Sequence, residues 1–142
     1  MLIKILFKDK IIYLVVDKQP SNILNLVEGE TKDKMGEKLI LNGMARDYFQ
    51  RENLSRGLNG ANQNDLIIVS DLDEIPNLNF LNFDKIKNKI VIFQQKMFYY
   101  KLNLFYKDFI WAGSKAVKFK NFKSPQWLRN IKDKKYPFWR LD

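Results

Sequence analysis

The chain has 142 residues, 46% of them hydrophobic and 14% aromatic, and a formal net charge of +9 from 25 basic and 16 acidic side chains. That length and composition suit one globular domain with a real core. With no cysteine and no histidine, disulfides, thiolate nucleophiles, Cys- or His-ligated metals and Ser-His or Cys-His catalysis are excluded, which leaves carboxylates, Lys, Tyr, Ser and bound ions as chemical actors.

No apolar stretch approaches the roughly 20 residues that span a bilayer. The amino terminus lacks a cleavable signal pattern, so the expectation is a cytoplasmic chain without a membrane segment. A basic surface can bind nucleic acid or a partner protein without any catalysis. The lysines, however, are scattered singly or in short clusters such as Lys132-Asp133-Lys134-Lys135, with no repeated basic-aromatic motif. No nucleic-acid partner is expected on that pattern, although a non-catalytic basic α/β domain remains an alternative.

In chain order, Leu2 to Phe7 and Ile11 to Val16 read as strands separated by Lys8-Asp9-Lys10. Polar, Gly-containing sequence from Asp17 to Gly43 has weak periodicity and reads as loop with at most a short helix. From Met44 to Leu58 the apolar residues Met44, Tyr48, Leu54 and Leu58 recur near helical spacing, with Arg46, Arg51 and Arg56 between them and Gly57 and Gly60 as a stop.

The run Leu66-Ile67-Ile68-Val69-Ser70-Asp71-Leu72-Asp73-Glu74-Ile75-Pro76 is chemically the most unusual segment. An unbroken aliphatic run bounded by Asn64-Asp65 and Pro76 reads as a strand buried on both faces of a helix-covered sheet. In such sheets ligands sit beyond the carboxyl ends of the strands. If the chain stays extended, period-2 alternation aims Asp71 and Asp73 the same way and turns Leu72 toward the core. Like charges that close repel unless a cation lies between them, and Mg²⁺ or Mn²⁺ takes carboxylate oxygens together with water and substrate phosphates. The alternative is a solvated turn, with Pro76 ending the strand.

Beyond the acids, Asn77 to Lys89 reads as a short helix or a loop around the site, and Ile90 to Lys96 as a strand. Met97 to Tyr106 alternates aromatic and polar residues as a half-buried strand would. Phe109 to Phe119 contains Trp111-Ala112-Gly113-Ser114, where Gly113 permits close backbone approach. Ser124 as N-cap and Pro125 at the first helical position open a last helix, Gln126 to Ile131. The order of helix, loop, strand and acidic cluster fits an α/β unit. No repeat, linker or low-complexity segment divides residues 1–142.

Together, Arg46-Asp47-Tyr48-Phe49-Gln50-Arg51-Glu52-Asn53, Ser70-Asp71-Leu72-Asp73-Glu74-Ile75-Pro76, Phe98-Tyr99-Tyr100-Lys101-Leu102-Asn103 and Trp111-Ala112-Gly113-Ser114 resemble glycosyltransferase family 17, colinearly from about Phe7 to Leu141. The resemblance implies a GT-A-like nucleotide-diphospho-sugar transferase fold with a mixed central sheet flanked by helices. It also implies a UDP-sugar donor, UDP-N-acetylglucosamine in characterised members, a glycan acceptor, and inversion at the anomeric carbon. A first strand region with a Glu and a Gly-Lys segment, and a final Gly-Trp-His segment, have no counterpart, so a partial domain truncated at both ends is expected.

On that resemblance Asp71 and Asp73 match the D-x-D motif that holds Mn²⁺ or Mg²⁺ against the donor diphosphate, with Asp73 the direct ligand and the ion acting as Lewis acid and template. Glu74 orders the metal's water or Arg51. Arg46 and Arg51 are candidate bidentate phosphate donors, with a surface or ion-paired role as the alternative. Tyr99, Tyr100 and Trp111 are candidates to stack on a sugar, with Asn103 and Ser114 offering hydrogen bonds; the alternative is aromatic core. Trp127 and Trp139 are assigned to packing. Inversion needs a carboxylate base for the acceptor hydroxyl, and the sequence singles out none.

Haloacid-dehalogenase-like phosphatases also place D-x-D after an apolar strand and bind Mg²⁺. There the first Asp is a nucleophile near the amino terminus, with a Gly-Asp acidic motif later. Here the motif falls mid-chain, Ile75-Pro76 follows it, and Asp84, Asp108, Asp133 and Asp142 lack the Gly-Asp context.

Overall fold

The computed structural model describes residues 8–82, 85–86 and 90–132. The expected strand Leu2–Phe7 and the packing role of Trp139 lie outside them. The chain divides into two compact units, Met1–Asn59 and Gly60–Asp142.

In the first unit the dominant element is helix α1, Lys32–Asn53, followed by a 3₁₀ turn at Leu54–Leu58. It begins ten residues or more before the periodicity announced it, within the segment expected to be loop. The start is set by Thr31, whose side chain caps Lys34 N, with Asp33 in the first turn and Arg51 in the last, both favourable to the helix dipole. Gly36 and Gly43 are carried inside the helix despite costing about 1 kcal/mol each relative to Ala. Tertiary bonds offset that cost. The Asn42 amide, buried, accepts from Leu24 N at 2.7 Å and donates to Leu24 O at 2.8 Å. Lys38 donates to Asn25 O at 2.9 Å and pairs with Glu30, while Arg56 reaches Val15 O at 3.1 Å. The helix thus binds the preceding segment through polar side chains, a pattern that apolar periodicity does not report. Ile11–Val16, expected as a strand, forms no ladder and joins this irregular segment.

The second unit is built on a three-stranded antiparallel sheet of order β1-β3-β2, with β1 Leu66–Val69, β2 Val91–Phe98 and β3 Phe105–Lys118. The aliphatic run was expected to be a strand buried on both faces of a helix-covered sheet. Instead β1 pairs with β3 from Leu66↔Lys118 to Val69↔Lys115, and only Val69 of β1 is fully buried. The pairing continues past the strand ends through Phe119 N to Asp65 O at 2.8 Å and Lys120 N to Gln63 O at 3.0 Å. β2 and β3 form a long hairpin. The half-buried strand expected over Met97–Tyr106 is broken at residues 99–104, where Tyr99 N bonds Leu104 O at 3.0 Å and closes the turn. Tyr100 holds φ 56° there, a left-handed conformation that a bulky residue adopts only at a cost.

Helix α2, Pro125–Asn130, starts as its sequence announces: Ser124 accepts from Trp127 N at 3.1 Å and Pro125 occupies the first turn. It packs on β3 and β1 to close a small core of Val69, Val117 and Leu128, with Ile90, Phe122, Trp127 and Ile131 against it. Trp127 takes the packing role expected of it. Leu128 has no exposed surface, so Leu128→Ala should lower stability by about 2–5 kcal/mol, measured as a shifted urea midpoint with unchanged slope.

Candidate functional site

The acidic segment does not continue β1. After Val69 the chain turns, with Glu74 N bonding Asp71 O at 3.1 Å and the Glu74 carboxylate reaching back to accept from Asp71 N at 3.1 Å. This closed turn replaces the two further extended residues that would have aligned Asp71 with Asp73. Leu72, expected to face the core, is fully exposed. Asp71 is half-buried, Asp73 exposed and Glu74 buried. Three acids adjacent in sequence thus occupy three distinct environments.

Glu74 is the buried centre. Its Oε1 accepts from Trp111 Nε1 at 2.7 Å, and both its oxygens face Arg129, at 2.9 Å from Nη2 and 3.2 Å from Nη1. Arg129 Nη2 also lies 2.5 Å from Asp71 Oδ2, and Nη1 donates to Gly113 O at 2.7 Å. One guanidinium therefore bridges two carboxylates and a strand carbonyl, using the forked donor geometry that distinguishes Arg from Lys. Burial alone would push the Glu74 carboxyl up, but the Trp111 indole, the Asp71 backbone amide and Arg129 together hold it below its ordinary value of 4.5.

The supports of this cluster come from β3 and β2. Between Ile92 and Gln94 the β2–β3 register shifts, so Gly113 and Ser114 stand against a single β2 residue as in a bulge. A β-carbon on Gly113 would overlap the Glu74 carboxylate and the Trp111 indole nitrogen. The close backbone approach expected at this glycine is thus an approach to a carboxylate. Ser114, expected to offer a hydrogen bond to a sugar, is fully buried below the cluster. Its hydroxyl accepts from Ser70 Oγ at 2.7 Å and faces Gln95 Oε1 at 3.3 Å and Glu74 Oε2 at 3.4 Å as its own acceptors. Buried Lys115 donates to Arg129 O at 2.8 Å and to Gly113 O at 3.3 Å, which ties the end of α2 to β3 and fixes the point from which Arg129 projects.

A cavity of about 480 Å³ opens beside the cluster, with Asp71, Asp73, Glu74, Lys96, Tyr100 and Trp111 in its wall. Of the sugar-contact candidates it brings Tyr100 and Trp111 together with the three acids. Tyr99 instead packs on Tyr106, with ring centroids 5.5 Å apart, and Asn103 is exposed in the hairpin turn. Arg46 and Arg51 belong to α1 of the first unit, where Arg46 donates to Gln19 Oε1 at 2.9 Å and Arg51 pairs with Asp47 at 3.7 Å. Glu74 was expected to order the metal's water or Arg51; the guanidinium it meets in the second unit is that of Arg129. Sequence reasoning missed Arg129 and Gln95. Arg129 stood in a correctly delimited helix, but nothing local to that helix signals a carboxylate 55 residues earlier.

The oxygen donors of Asp71 and Asp73 are of the kind that hard divalent ions take. Glu74 is committed to protein donors, and among the described residues no group of three or more acidic side chains converges as a metal-ligating set. Among the described residues no helix is long and apolar enough to cross a membrane. Comparison with protein-family models, with curated proteins and with solved structures finds no match.

Two outcomes test this geometry. Gly113→Ala should lower the melting temperature markedly and perturb the Trp111 indole N–H resonance, since the new methyl displaces either Glu74 or Trp111. Trp111→Phe removes a hydrogen bond to a buried charge and should cost roughly 1.5–3 kcal/mol near neutral pH. Because the folded Glu74 carboxyl titrates below its ordinary value of 4.5, the stability it contributes is present above that pH and lost as pH falls through the folded value. The difference in melting temperature between wild type and Trp111→Phe should therefore be largest above pH 5 and shrink on acidification below about pH 4.5.

Proposed function

We propose that the second unit carries the donor side of a metal-dependent, inverting glycosyltransferase that moves N-acetylglucosamine or a related sugar from a UDP-sugar to a glycan hydroxyl. The observation that carries this reading is the shared cavity: Asp71 and Asp73, the D-x-D pair, line its wall with Tyr100, Trp111 and the lysines Lys96 and Lys101. A volume of about 480 Å³ lies within the range of small-ligand sites, and a cavity with aromatic walls and a few convergent polar groups suits a nucleotide sugar.

Within that reading Asp73 is the exposed carboxylate that takes Mn²⁺ or Mg²⁺, with Asp71 the candidate second ligand. A divalent ion held by these carboxylates would supply Lewis-acid stabilisation of the negative charge on a UDP leaving group. Lys96 and Lys101 supply positive charge to the same anion. Tyr100 and Trp111 offer ring faces to the sugar, Trp111 with its indole N–H already spent on Glu74. Glu74 acts as a positioning residue: it holds the turn that presents Asp71 and Asp73.

Thermal unfolding with UDP and Mn²⁺ tests the proposal directly. Wild type should be stabilised only when both are present, by an increment that grows with ligand concentration. Asp73→Ala should abolish the increment while leaving the unliganded melting temperature within about 0.5 kcal/mol equivalent of wild type, because the side chain is exposed. Equal stabilisation of the variant, or none of wild type, would reject the reading.

A further inference from the structure

We infer that Arg129 is the built-in counter-ion of the carboxylate cluster, and that a divalent cation entering the cavity reaches Asp71 only in competition with this guanidinium. The inference rests on the proposed metal-dependent site and concerns how that site is regulated. Its basis is the position of Arg129 Nη2, 2.5 Å from Asp71 Oδ2 and 2.9 Å from Glu74 Oε1: a single nitrogen sits where a cation shared by the two acids would sit. The same guanidinium is anchored from behind by Gly113 O at 2.7 Å, and its side chain is largely buried. Its helix end is pinned to β3 through Lys115. The arrangement is therefore built into the fold and is independent of the exposed lysines at the cavity rim.

Two consequences separate Arg129 from an ordinary structural ion pair. First, Asp73, which is exposed in the wall of the same cavity, is the point of entry for a metal ion, and Asp71 joins only as its Oδ2 exchanges guanidinium for the ion. Secondly, removing the guanidinium takes away the positive charge that Nη2 places between the two acids, which strengthens their attraction for a divalent ion. A positional support would behave oppositely, since losing it would scatter the ligands and weaken metal binding.

Manganese binding to the full chain, followed by the electron paramagnetic resonance signal of free Mn²⁺, distinguishes the two. Arg129→Gln should bind Mn²⁺ about tenfold more tightly than wild type and should gain more thermal stability from saturating Mn²⁺ than wild type does. Unchanged or weakened binding, with near-ultraviolet circular dichroism preserved, would overturn the inference. Should Arg129→Gln fail to fold, Arg129→Met provides the same test: it keeps an aliphatic stem and removes the positive charge, so Mn²⁺ affinity should still rise, and no rise counts against the counter-ion. UDP, measured alongside, separates this from the transferase reading. Tighter Mn²⁺ binding by the variant without any response to UDP sinks the transferase and keeps the counter-ion. UDP-dependent stabilisation of wild type without a gain in the variant does the reverse.

Discussion

The bond set of Arg129 governs the second unit. A guanidinium from the last turn of α2 meets Asp71 and Glu74 from the end of β1 and a carbonyl of β3, so three elements converge on one charged group. Buried ion pairs contribute modestly when intact and cost about 3–5 kcal/mol when one partner is removed, because the remaining charge is stranded. The cluster is thus less a source of net stability than a constraint on geometry. It joins α2 both to the sheet and to the segment that follows β1.

Around that constraint the polar parts are mutually satisfied. Trp111, the Asp71 amide and Ser114 complete the surroundings of Glu74, Gln95 and Ser70 complete those of Ser114, and Lys115 anchors the Arg129 carbonyl of α2. Among the described residues no buried side-chain donor or acceptor lacks a partner. The apolar core beside it, centred on Val69, Val117 and Leu128, is small. For a core of this size, satisfied buried polar groups matter because each orphan would cost about 1–3 kcal/mol.

The legible parts of this fold were those written in adjacent residues. Ser124-Pro125 announced α2 to within a residue, the aliphatic run announced β1, and Gly113 announced a close approach. What escaped depended on distant partners. α1 is long because Asn42 and Lys38 hold the segment before it, contacts that leave no 3.6-residue apolar rhythm. Burial of β1 on both faces was expected wrongly because a half-buried edge strand and a doubly buried one can contain the same residues. At the site, the acids and Trp111 were visible, while the turn that separates Asp71 from Asp73 goes with a reach of Glu74 back to Asp71 N, and the donors that face Glu74 there, Trp111 and Arg129, lie 37 and 55 residues further along the chain.

The spacing of the charged partners also has a bearing on biosynthesis. Asp71 and Glu74 precede Arg129 by 58 and 55 residues. At translation rates of about 5–20 residues per second, the acids exist for several seconds before the cation that neutralises them has been made. A nascent chain halted after β3 would expose both carboxylates to water and have no helix with which to roof the sheet. The joint between β1 and α2 is therefore closed only after α2 has been made, when one later arginine takes its place between two acids.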